Sequence, residues 1–200
     1  MSVVPEARQA STVPEARQAS TVPEARQAST PATGVEATVG QLAATAIGLL
    51  VARDQTVGTA ESLTGGLVAA ALTAVPGASV VFRGGIVAYS AEVKQAMLGV
   101  PADLIARVGT VDAEVARAMA VGARLRLQAA VGVATTGVAG PDLVDGHPVG
   151  TVHLAVSTPQ QAVHRKLNLT GDREQIRRAT VLHVLSLLVS ELAKSGKPDG

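Results

Sequence analysis

The chain has no cysteine, which rules out a thiolate nucleophile. The best placed hydroxyls are Ser62 and Thr64, in Glu61-Ser62-Leu63-Thr64-Gly65-Gly66. This stretch joins a short apolar segment, Thr56 to Ala60, to a helix-like run from Leu67 to Ala74. A strand that turns tightly into a helix leaves several backbone N–H groups without partners, all pointing one way. Together with the helix dipole they favour negative charge, such as a phosphate or a developing oxyanion. A lone Ser-x-Thr-Gly-Gly would read more simply as an N-cap and a permissive turn. Other segments change that weighting.

Four turn-rich stretches hold most of the candidate polar groups: 61–66, 89–94, 135–142 and 170–174. Three follow expected strands directly, and Lys94 lies one helical turn beyond another. Ligands of open α/β sheets bind at such carboxyl ends.

Elimination narrows the chemistry. His147, His153, His164 and His183 are scattered, with no pair at ligand spacing, so no metal is expected. Ser62 is not in a Gly-x-Ser-x-Gly elbow and has no evident His partner. Gly-Lys-Ser/Thr and Gly-x-Gly-x-x-Gly signatures are absent. A serine activated by lysine remains. Neutral Lys94 could take the Ser62 proton, provided its pKa falls by roughly 3 units, about 4 kcal/mol. Burial among aliphatics and a nearby cation such as Arg173 could supply the shift, and the Gly65 and Gly66 amides could hold an oxyanion. The plainer alternatives are a solvated Lys94 and a half-buried Tyr89 ring. Asp172 and Arg173 would then be first-turn charges, with Arg177 and Arg178 exposed on the helix.

These residues need a scaffold. Val39, Leu42, Ala46, Leu49 and Leu50 recur at helical spacing from Val35, and Arg53-Asp54-Gln55 closes that helix. Strand-like segments follow at Thr56–Ala60, Val80–Arg83, Ile86–Tyr89 and Val131–Thr135, with Gly84-Gly85 dividing the middle two. Ser90 is placed to cap a helix from Ala91 to Leu98, Pro101 to open a short one, and Asp112 to cap a longer one to about Leu127. Thr136 to Pro148 reads as a loop, Gly150–Ser157 and Ala162–Leu169 as a hairpin, and Asp172 as the cap of a final helix. Helices interleaved with small-aliphatic strands predict a three-layer α/β/α sandwich with a mixed, mostly parallel sheet, spanning residues 35–194.

The 200 residues include one Phe, one Tyr and no Trp, with a net charge of +1. That leaves neither a broad basic surface nor stacking platforms, so nucleic-acid partners are not expected. No apolar run reaches the roughly 18 residues of a membrane span. Together with the lack of cysteine, this predicts a cytoplasmic protein. A mean hydropathy of +0.31 suggests a homo-oligomer. Residues 4–12, 13–21 and 22–30 repeat Val-Pro-Glu-Ala-Arg-Gln-Ala-Ser-Thr. Each copy has too little aliphatic surface for a core, so 1–34 reads as a disordered tail and 195–200 as a frayed end.

In combination, Ala60 to Gly66, Gly85 to Ser90 with Lys94 and Leu98-Gly99-Val100, Gly137 to Asp142, Pro148 to Val152, and Gly171-Asp172-Arg173 through Arg177 resemble the CinA C-terminal family. That family includes stand-alone nicotinamide mononucleotide amidohydrolases (PncC). The resemblance implies hydrolysis of the nicotinamide mononucleotide carboxamide to nicotinic acid mononucleotide and ammonia, with no cofactor. It implies Ser62 as nucleophile and Lys94 as base, with Tyr89 and Thr136 in proton handling or substrate positioning and Arg173 near the substrate. Glu61 would orient Lys94 or the ring, and Thr64, Gly65, Gly66, Gly137, Gly140 and Asp142 would complete the substrate-binding set. The chain departs from the family pattern at Leu63, where Cys is common, and at Leu143 to His147. A non-catalytic CinA-like interaction module, in competence or DNA-damage responses, is the competing expectation. A phosphate-ligand binding module is a third, but it would have no use for Lys94.

Overall fold

The computed structural model describes residues 34–194, so the repeat tail and the polar C-terminal end lie outside the described residues. The elements in order are α1 (Gly34–Ala52), β1 (Val57–Glu61), α2 (Leu67–Thr73), β2 (Phe82–Val87), α3 (Ala91–Leu98), α4 (Ala102–Val108), α5 (Ala113–Arg126), β3 (Val131–Gly137), β4 (Thr151–Ser157), β5 (Ala162–Asn168) and α6 (Arg173–Lys194). The strands form one sheet in the order β2-β1-β3-β4-β5. β1 is parallel to both β2 and β3, whereas β3–β4 and β4–β5 are antiparallel. The sheet is therefore mixed, and four of its five strands share one direction.

Alternation along each strand sends side chains to two separate cores. On one face Val57, Val131, Val133, Val152, Leu154 and Val156 pack with α1, α2 and α6. On the other, Ala60, Ala134 and Ala155 meet α3, α4 and α5 through residues such as Leu98, Val115 and Met119. The buried stripe of α1 is Ala43, Ala46, Ile47 and Leu50, with Val39, Leu42 and Leu49 at its margin.

Capping follows local chemistry. Ser90 Oγ accepts the Val93 N–H at 3.3 Å and Asp112 Oδ1 the Glu114 N–H at 2.7 Å. Asp172 Oδ1 accepts the Gln175 N–H at 2.9 Å. These side-chain acceptors satisfy orphan donors of the first turn.

Two sequence expectations change. The segments divided at Gly84-Gly85 are one strand, β2, and residues 78–80 form a 3-10 turn before it. Gly85 lets α2 approach the sheet: a Cβ there would stand 2.5 Å from Thr59 Oγ1 and 3.1 Å from Ala69 Cβ. β3 also extends to Gly137, so Thr136 is a strand residue rather than part of a loop.

The directions decide where function can gather. β1, β2 and β3 run together, and β5 shares their direction because two antiparallel steps restore it. Four strands thus end at one edge of the sheet, and the segments after them meet there.

Candidate active site

At that edge lies a cavity of about 150 Å³, with walls drawn from all four polar stretches and also from Thr110, Val111 and Val144. Ser62 opens onto it one residue after β1. Its N–H donates to Thr135 O at 2.9 Å, continuing the β1–β3 ladder, and its carbonyl accepts the Gly65 N–H at 3.0 Å.

Lys94 reaches Ser62 from α3. Its Nζ donates to Ser62 Oγ at 3.1 Å and to Ala88 O at 2.8 Å. The side chain is 1% exposed. Burial pushes the ammonium pKa down to about 8, against an opposing pull from the Asp145 carboxylate. Desolvation supplies the depression, because removing an ammonium from water favours its neutral form. Arg173 is not among its causes.

Arg173 has a different task. Its guanidinium donates to Gly140 O at 2.8 Å and to the Tyr89 hydroxyl at 2.7 Å. Tyr89 is 60% exposed, so its ring stands at the rim instead of half buried. Gly137, Gly140 and Asp142 line the cavity as well.

Glu61, Thr64, Gly65 and Gly66, expected in the substrate-binding set, are not among the residues that line the cavity. Glu61 is buried beneath the turn, where Oε2 accepts the Gly66 and Val68 N–H groups at 2.9 and 3.0 Å. Its Oε1 accepts the Ala69 N–H at 2.8 Å. One carboxylate thus satisfies most of the free donors of α2 and makes no hydrogen bond to Lys94. The Gly66 amide is consumed by that carboxylate and the Gly65 amide by Ser62 O, so neither is an oxyanion donor. Thr64 is fully buried, its Oγ1 2.7 Å from Thr135 Oγ1, and it ties the turn to β3. Among the described residues, the N–H groups of this turn with no partner belong to Leu63 and Thr64, and Leu63 lines the cavity.

Arg177, exposed on the helix in the plainer alternative, is partly buried. Its Nε donates to Leu63 O at 2.9 Å and its Nη2 to Thr64 O at 2.8 Å, a two-pronged grip on the Ser62 turn. The signal was its position, one helical turn after Arg173 on the same face.

The remaining wall is a chain of hydrogen bonds. Thr136 Oγ1 donates to Thr110 O at 2.7 Å. The Thr110 N–H and hydroxyl both donate to Asp145 Oδ2, at 2.6 and 3.0 Å. Asp145 and Gly146 have φ of 50° and 78°, between paired Val144 and His147. Two positive φ values in a two-residue loop are what a type I′ turn requires, and Asp-Gly is a favoured sequence for it. That dipeptide was the overlooked signal for this loop.

The histidines are also less scattered than their spacing suggests. His153 Nδ1 lies 2.9 Å from His164 Nε2 across β4–β5. Burial, with a contribution from His164, pushes the His153 pKa down to about 4. Among the described residues no group of three or more His, Asp or Glu side chains is arranged to hold a metal ion.

An α/β/α domain that brings a serine and a dehydrated lysine to one sheet edge belongs to a recognisable class. A family model described as the CinA C-terminal domain matches residues 39–192, and the chain belongs to that family. A CinA-like protein of Frankia casuarinae is 51% identical over 147 residues, covering 74% of this chain and 34% of the relative. A CinA-like protein of Parasynechococcus marenigrum is 46% identical over 154 residues, 76% of this chain and 37% of that protein. The chain therefore spans about a third of the length of these relatives. The competence/damage inducible protein CihA of Agrobacterium tumefaciens superposes with a TM-score of 0.75 at 38% identity, covering 78% of this chain and 96% of that one. A CinA superfamily protein of Klebsiella pneumoniae gives the same TM-score at 32% identity, covering 78% and 98%.

Proposed function

We propose that this domain hydrolyses the carboxamide of nicotinamide mononucleotide, giving nicotinic acid mononucleotide and ammonia. The observation that carries the reading is the 3.1 Å contact between Ser62 Oγ and a buried lysine whose pKa has fallen to about 8. About a tenth of such a lysine is neutral at pH 7, and the neutral amine has the lone pair a base needs.

In the proposed reaction neutral Lys94 takes the Ser62 proton as Oγ bonds to the carboxamide carbon. The carbonyl electrons move onto oxygen, and the unpartnered Leu63 N–H, next in the chain after the nucleophile, is the nearest available donor type for it. Lys94 then passes the proton to the amide nitrogen, the C–N bond breaks and ammonia leaves. Water attacks the resulting ester, giving a proton to Lys94. The C–O bond breaks, Ser62 recovers its proton, and the carboxylate product departs. Arg173, exposed at the rim with Tyr89, is the cation available to the substrate phosphate.

The test is ammonia release from nicotinamide mononucleotide by the parent protein, Ser62→Ala and Lys94→Ala. Turnover in the parent is expected, with losses of at least 10³-fold in each variant. A parent protein without turnover overturns the activity, and turnover surviving Ser62→Ala overturns the mechanism alone. A cytoplasmic location and self-association belong to the same proposal, the latter checked by light scattering.

A further inference from the structure

We propose that Asp145 is a positioning residue that fixes Thr136 as a hydrogen-bond acceptor toward the pocket, so that the site reads the –NH2 of a primary amide and disfavours the carboxylate made from it. The inference rests on the amidohydrolase reading above and names what discriminates substrate from product.

A threonine hydroxyl has one proton. In Thr136 that proton goes to Thr110 O, so the oxygen can offer the pocket only lone pairs. An amide –NH2 has hydrogens to donate to them, whereas a carboxylate has none and meets lone pair with lone pair. A site built around one buried hydrogen-bonding group rejects an analogue lacking its complement far more strongly than shape alone can.

Thr110 could not impose this by itself, since it sits in the α4–α5 turn with no regular structure to hold its carbonyl. Asp145 holds it. Its Oδ2 accepts both the N–H and the hydroxyl of Thr110, so the residue is gripped at backbone and side chain together. The carboxylate is presented by the tight Asp145-Gly146 turn, and Val144 from the same loop lines the cavity. Gly109 makes room for it: its φ is +75°, and a Cβ there would come within 2.5 Å of Asp145 Oδ2. Turn type, missing side chain and paired donors serve the same contact. The consequence for catalysis is release, because the carboxylate formed in the reaction is left facing an oxygen with no hydrogen to share.

The test compares binding of nicotinamide mononucleotide and nicotinic acid mononucleotide by calorimetry at pH 9, where Lys94 is largely neutral and does not attract the acid. A Ser62→Ala background prevents turnover. In that background the amide should bind at least tenfold tighter than the acid. Adding Asp145→Ala should bring the two within about threefold, and Thr136→Val should do the same with Asp145 intact. Thr136→Ser, which keeps the hydroxyl, should preserve the preference. A preference unchanged in a folded Asp145→Ala protein overturns the proposal and leaves the amidohydrolase reading standing. Binding of neither nucleotide overturns both. If Asp145→Ala does not fold, Thr136→Val against Thr136→Ser still decides the polarity. Asp145→Leu, which keeps the branched shape but removes the acceptors, then decides the source: loss of the preference supports Asp145, and none overturns its role.

Discussion

Lys94 is a cationic side chain held where its charge is disfavoured. An ammonium in an aliphatic surrounding is unfavourable, and the folded protein relieves this by lowering the pKa from 10.5 to about 8. Between those values the unfolded chain binds more protons than the folded one, so this group makes stability rise with pH across roughly 8 to 10.5. Below pH 8 it is a constant cost. Lys94→Met should therefore abolish turnover yet raise stability at pH 7 by about 1–3 kcal/mol, with the gain vanishing as pH approaches 10.5. Urea denaturation at pH 7 and 10 checks this. The same shift sets the rate profile. The ratio kcat/KM should climb with pH through a midpoint near 8, where the lysine becomes a base. Asp145 favours the ammonium, so Asp145→Asn should move that midpoint to lower pH. A midpoint unmoved or raised would contradict the assigned charge effect.

At the scale of elements, the turn between β1 and α2 shows how scaffold and chemistry share one sequence. Glu61, expected from the resemblance to orient Lys94 or the ring, caps α2 from beneath with three backbone N–H contacts. Such charge-assisted bonds are strong, and removing the buried acceptor leaves the donors unsatisfied. Glu61→Gln should cost about 2–4 kcal/mol, because its –NH2 would confront backbone donors. Chemical denaturation measures the loss. Arg177 grips the other side of the turn through two carbonyls in a fixed fork. Arg177→Ala should lower kcat by 10- to 100-fold through displacement of Ser62, and Arg177→Lys should not restore it, since an ammonium lacks the planar fork. Steady-state kinetics of the two variants distinguishes grip from mere charge.

For the described domain as a whole, near-absence of aromatics permits very close layers. Gly132 on β3 lies under α5, where a Cβ would come within 2.0 Å of Ala120 O. Gly122 on α5 makes a similar approach to Leu98 O at the end of α3, at 2.2 Å. Both contacts are to backbone, which cannot rotate aside. They set the distance from the sheet to α5 and then to α3, the helix that carries Lys94. Gly122→Ala should lower stability by about 1–3 kcal/mol and also reduce activity, as α3 is pushed from the sheet edge. A calorimetric melt beside the amidase assay would show both effects, and loss of neither would deny α5 this spacing role.

Local chemistry was sufficient for most elements: caps at Ser90, Asp112 and Asp172, the Thr158–Gln161 connection, and the helical periodicities all act over a few residues. The motifs also paired Ser62 with Lys94, which the fold brings into contact, because a serine without a histidine partner leaves few candidate bases. Tertiary structure decided what depends on partners distant in the chain. It made one strand of the two segments around Gly84-Gly85 and assigned Glu61 and Thr64 to the scaffold. It also tied the Gly65 and Gly66 amides to Ser62 O and Glu61, and brought Arg177, Thr110 and Asp145 against the segments around the cavity. A side chain's type states which bonds it can make, but only the folded chain determines which donor or acceptor reaches it first.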